Sequence, residues 1–271
     1  MRISTILILS LMHVISVSAQ ENSHLFPTLE KKEILRRLYD ASEVIKTSDN
    51  TLMARWKPNY AESMSFQVSY DDEMAYTEVD TIFKFSKEGS KYALFVFATY
   101  EMTQNGKEKA TGCHACAPML SVALFAENLN GEKGWSILSF KKDFREHGTW
   151  GEIGDLDLVK IGKEAFALAL MGGGMAQGYA VSRVTYYELD NFLPIFSMTT
   201  MEDNGGATED EDEHFSYEVE ITVLPGKSEY YPIQCVTTGT KYSEKEKKII
   251  PANKKQVYYY DAESGEYVIS K

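Results

Sequence analysis

Few residues in this chain have the types and spacing that chemistry needs. The clearest group is in Ala110–Leu120, "ATGCHACAPML", where Cys113 and Cys116 flank His114 and Ala115. A thiol pair two residues apart can exchange with disulfides, hold a metal, or close into a bridge that staples a turn. A second group lies in "REHGTWGEIGDLDLV", which carries Glu146, His147, Trp150, Glu152, Asp155 and Asp157. Carboxylates beside a histidine and glycines suit acid–base work or cation binding; the simpler reading is a solvated loop leading into a strand. His147 and Trp150, with His114, are the residues expected to present an interaction surface.

For the cysteine pair, the metal reading fails on ligand number. Structural zinc needs four ligands, usually as two separated pairs, and only single residues such as His147 and Cys235 could complete a set. The Cys113-x-x-Cys116 spacing resembles the thioredoxin-like pair, which implies thiol–disulfide exchange with a low-pKa first cysteine. The chain departs from that pattern. Polar residues "EMTQNGKEKATG" separate the pair from the preceding strand-like run, and no βαβ pattern flanks it. A structural disulfide between Cys113 and Cys116 is the expectation, with a thiol–disulfide oxidoreductase as the alternative. Cys235, alternating with Ile233 and Tyr231 in "YYPIQCVTT", reads as a buried free thiol.

Other motifs are silent on catalysis. "LMGGGMAQGY" is glycine-rich, but neither a Lys-Ser/Thr nor a helix pattern follows it, so a phosphate loop is not expected. It reads as a wide loop or bulge between strands. There is no Gly-x-Ser-x-Gly elbow and no His-Glu-x-x-His. No catalytic residue, metal ligand set or cofactor is assigned.

The elements that position these residues are mostly strands. "FPTLEKKEILRRLYDASEVIKTSDN" places Ile34, Leu35, Leu38, Ala41 and Ile45 at helical spacing, which predicts one amphipathic helix over about 29–47, packed on the protein's own sheet. From Thr51 onward, runs rich in Tyr, Phe, Val and Thr alternate with Gly- and Asn-containing turns. Three hairpins are legible: "TIFKF-SKEGS-KYALFVFATY", "LDLVKI-GKE-AFALALM" and "FSYEVEITVL-PGKSE-YYPIQCVTT". Each is followed by further strands, giving four-strand units that start near Thr81, Leu156 and Phe215. The expected fold is mainly β, with antiparallel sheets of repeated hairpin units, propeller-like or a sandwich. Sheet units are expected over about 51–200 and 215–271, with an acidic loop at 202–214.

At the scale of the whole chain, residues 1–19 read as a secretory signal peptide: Arg2, an apolar run from Ile3 to Val17, and Val17-Ser18-Ala19 with small or medium residues at the two positions a signal peptidase reads. The remainder, 20–271, is expected to be a single β-rich domain that is exported to the periplasm or cell exterior. No stretch is long and apolar enough to span a bilayer as a helix. The net charge of -12 repels phosphate backbones, so nucleic acid is excluded as a partner. The same charge favours a basic partner. These features converge on an exported, non-enzymatic binding protein for a protein or small ligand, inhibitor- or immunity-like toward a basic partner.

Overall fold

A computed structural model describes residues 25–58, 74–100 and 117–269. The signal-like segment and the Cys113, His114 and Cys116 group lie outside the described residues.

The protein is built of antiparallel strands in two sheets. In the first, β1 (Leu25–Phe26), helix α1 (Lys31–Leu38), β2 (Glu43–Lys46), β3 (Leu52–Trp56), β4 (Ala75–Lys87), β5 (Ser90–Tyr100), β6 (Met119–Glu127) and β7 (Trp135–Glu146) follow in chain order. Their spatial order is β1-β7-β6-β5-β4-β3-β2. The second sheet holds β8 (Asp155–Lys160), β9 (Phe166–Ala176), β10 (Tyr179–Glu188), β11 (Pro194–Asp203) and β12 (Ser216–Val223). It continues through β13 (Ile233–Ser243), β14 (Lys248–Pro251), β15 (Lys254–Asp261) and β16 (Glu266–Ile269). Its order is β16-β15-β13-β12-β11-β10-β9-β8, with β14 paired to an outer stretch of β13.

The three legible hairpins form as β4–β5, β8–β9 and β12–β13. The β4–β5 turn is a tight one, because Glu88 and Gly89 both take positive φ (51° and 78°), the geometry of a two-residue type I′ turn. Strands do not group in fours. Among the described residues, sheets of seven and nine strands replace propeller blades, because each meander keeps adding strands to the same edge. The first sheet curls into a half-barrel. Register shifts at Val79/Thr81, Leu120/Val122 and Leu124/Phe125 sharpen its twist, as bulges do.

Strict alternation sorts the core. Along β5, Leu94, Val96, Ala98 and Tyr100 face one cluster, while Ala93, Phe95 and Phe97 face another. The first cluster also takes Leu120, Val122 and Leu124 of β6 and Leu168 and Leu170 of β9, so it joins the two sheets. The second lies between the first sheet and α1, whose Ile34 and Leu35 are fully buried. A third cluster lines the far face of the second sheet, around Ile195, Phe196, Ile233, Cys235 and Tyr267. There Phe196 meets Tyr258 and Tyr267 edge-on, with ring centroids 5.4 and 6.1 Å apart, so β15 and β16 bend back over β11.

The helix expected over 29–47 is not formed at that length. It stops at Leu38; Tyr39 caps it, and Asp40 turns the chain with φ 46°. Val44 and Ile45 are β-branched, and they pair as strand with Ala54 and Met53 instead. The eight-residue helix that does form packs Ile34 and Leu35 on the first sheet. The glycine run also differs from expectation. Gly172–Gly174 is not a loop but the continuation of β9, in unbroken register with β10 from Ala176↔Tyr179 to Ala167↔Glu188.

Candidate functional site

The segment that connects the two sheets positions the site. β7 ends at Glu146, and the His147 amide then donates to the Pro118 carbonyl at 3.1 Å. Thr149 and Glu152 exchange backbone bonds of 3.0 and 2.9 Å around Trp150 and Gly151. Both of those residues have positive φ (56° and 74°), so this is a second type I′ turn. Gly148 makes it feasible: a Cβ there would sit 1.9 Å from the Glu152 carbonyl oxygen. Trp150 stands at the turn's tip, about half exposed, while Ile153 returns to the inter-sheet core.

His147 points the other way. Its ring is buried, and Nε2 donates to the Asp155 carbonyl across 3.3 Å, which sets the Nε2–H tautomer. Burial lowers its pKa and the positive charge of Arg145 adds to this; the Asp155 carbonyl and carboxylate oppose it. The neutral ring packs against glycine backbone. A Cβ at Gly154 would lie 2.7 Å from Nε2, and one at Gly172 would lie 3.1 Å from Cε1. The glycines of "GDL" and "GGG" therefore make room for this imidazole.

Two clefts meet at that point. One, of about 570 Å³, is lined by Thr149, Asp155, Gly173, Ser182, Val184 and Ile221 among others. The other, of about 480 Å³, is lined by Ala117, Arg145, His147, Gly174, Arg183 and Thr185 among others. Both share Gly148, Gly172, Gly173, Ser182 and Arg183. The pairing register separates them. Leu170, Gly172 and Gly174 of β9 stand opposite Thr185, Arg183 and Val181 of β10, and Met171 and Gly173 stand opposite Val184 and Ser182. Residues alternate in face along a strand. The second cleft thus opens on the face that carries the inter-sheet cluster, and the first on the face that carries the third cluster.

Of the residues expected from sequence, His147 reaches a cleft and Trp150 marks the turn beside it. Cys113, Cys116 and His114 fall outside the described residues, and with them the disulfide and oxidoreductase readings. The carboxylates do not converge: among the described residues, no three His, Cys, Asp or Glu side chains stand close enough to hold a metal ion. Asp157 is engaged by the Leu158 amide at 2.7 Å. Among the described residues no disulfide forms, and Cys235 is a buried free thiol whose pKa burial pushes up to about 11. Arg145 and Arg183 carried no signal in the sequence. They sit in strands of different sheets, and only folding brings both to one cleft. Arg145 lies over the Tyr187 ring at 5.4 Å, and Arg183 donates to the Thr199 hydroxyl at 3.5 Å.

No family model, no curated protein and no solved structure matches the chain.

Proposed function

We propose that the protein is an exported β-rich protein that works by binding, and that the paired clefts around Gly172 and Gly173 are its recognition site. The observation that carries this reading is a glycine-floored pair of clefts on the continuously paired strands β9 and β10. Each cleft has a volume within the range of ligand sites, roughly 300–1,000 Å³. Each cleft sets polar groups beside apolar ones: Arg145, His147 and Arg183 beside Leu170 and Val181 in the second, and Ser182 and Arg183 beside Val184, Val219 and Ile221 in the first. The occupant is a protein partner. The net charge of -12 favours approach of a basic one, as an inhibitor or immunity-type protein would require.

Gly174 offers a clean test, because a Cβ there would meet no described atom within 4 Å and a larger side chain has open space to enter. Gly174→Trp should fill the second cleft without unfolding the sheet. Immobilised wild-type protein should retain a partner from the exported fraction of its own cells, and Gly174→Trp should retain at least tenfold less. Equal retention by both, with matching circular dichroism, would place recognition elsewhere.

A further inference from the structure

The open edge of β9 extends the binding reading to the form of the partner. β8 pairs with β9 only over Phe166–Met171. β10 pairs with β9 along Ala167–Ala176. Beyond Met171, then, one side of β9 has no strand beside it among the described residues. From Gly173 to Ala176 the strand is exposed, with Met175 at 61%.

This edge lacks the usual protection. Natural sheets guard edges with charge, Pro or bulges. Three other edge strands carry charge: β8 has Asp155, Asp157 and Lys160, β2 has Glu43 and Lys46, and β16 has Glu266. The strand at the other edge of the first sheet, β1, is only two residues long, which is itself a protection. "MGGGMAQG", from Met171 to Gly178, carries no charge and no proline in a chain of net charge -12. Its register with β10 is free of bulges.

We infer that an extended segment of a partner protein adds to the second sheet as a strand along Gly173–Ala176, in line with β8. The two clefts favour this occupant over a compact ligand. A strand laid on the edge sends successive side chains to opposite faces, and here a cleft waits on each face. Backbone bonds to the edge would supply affinity and the clefts would select side chains. On the His147 face, Arg145 and Arg183 form no ion pair with a described residue. A carboxylate is the complementary side chain there. On the other face, Ile153, Met171 and Val184 form the apolar part of the cleft nearest the edge, and an apolar side chain fits against them. The partner segment therefore alternates acidic and apolar residues, within a protein whose overall charge is free to be basic.

The inference rests on the binding reading, and the test separates the two. The probe is a random dodecapeptide library displayed on phage, panned on the folded chain and counter-selected on Gly174→Trp. Selected peptides are synthesised and titrated by fluorescence polarisation, then N-methylated one residue at a time. Strand addition predicts alternating acidic and apolar positions. It also predicts that N-methyl groups at alternate residues each weaken binding about tenfold, while those between them have little effect. Peptides that bind wild type but not Gly174→Trp, without the alternating N-methyl pattern, would overturn strand addition and leave the binding site standing. Failure to select any peptide would overturn it as well. So would sedimentation showing a dimer that Gly174→Trp dissociates, since a second copy would then own the edge.

Discussion

His147 and Tyr39 illustrate what burial does to single polar side chains. Burial holds the His147 pKa below its ordinary 6.5. The unfolded chain therefore binds more protons than the folded one between the lowered value and 6.5, and folding stability falls as pH falls through that window. Thermal unfolding should show this as a drop in Tm on going from pH 7 toward pH 5 that is smaller in His147→Gln, which keeps a donor for the Asp155 carbonyl. Parallel pH profiles in the two proteins would count against it. Tyr39 is a simpler case. Its ring packs on Trp56, Phe97 and Phe140 at 5.3–5.8 Å, but its buried hydroxyl has no well-formed hydrogen bond among the described residues. The neighbouring Ser121 hydroxyl already accepts the Asp143 amide at 3.0 Å. Tyr39→Phe keeps the ring contacts and removes the orphan group, so denaturant unfolding should find the variant equally stable or about 1 kcal/mol more stable. A loss larger than that would show that the hydroxyl is satisfied.

Among elements, β5, β6 and β9 decide whether the two sheets stay together, because their alternate leucines share one cluster. Leu168 of β9 is fully buried there. Leu168→Ala should cost ~2–5 kcal/mol, the range for a cavity in a packed core. Surface changes on the same sheet, such as Thr238→Ala, should stay within about 0.5 kcal/mol. A small effect at Leu168 would mean that the sheets are weakly joined. The same alternation explains which elements could be read in advance. "KYALFVFATY" is apolar at successive positions, the mark of a strand buried on both faces, and β5 is that strand. "LMGGGMAQGY" misleads because glycine is a turn former by itself; hairpin pairing with Tyr179–Thr185 overrides that tendency. At "EVIK" a helical period competed with β-branched residues, and the strand pairing with β3 won.

At the scale of the molecule, the net charge of -12 should act on approach more than on grip. Stopped-flow association with a basic partner retained in the pull-down should slow on the order of tenfold as ionic strength rises from about 0.01 to about 0.15 M. Dissociation should change far less. A rate independent of salt would remove electrostatic steering from the account.

Composition and periodicity alone determined that the chain is mainly β and antiparallel, and that hairpins lie where Gly-containing turns interrupt Tyr- and Val-rich runs. Those features are local: they depend on the dihedral preferences of a few neighbouring residues and on the two-residue alternation of a strand. Only the tertiary structure decided that His147 is buried against Gly154 and Gly172, that Arg145 and Arg183 share a cleft, and that β9 outruns β8 to leave an uncharged edge. Each of these depends on contacts between residues far apart in the chain, or on how far two strands pair. No spacing along the sequence encodes such a contact; it exists only once the two sheets have packed.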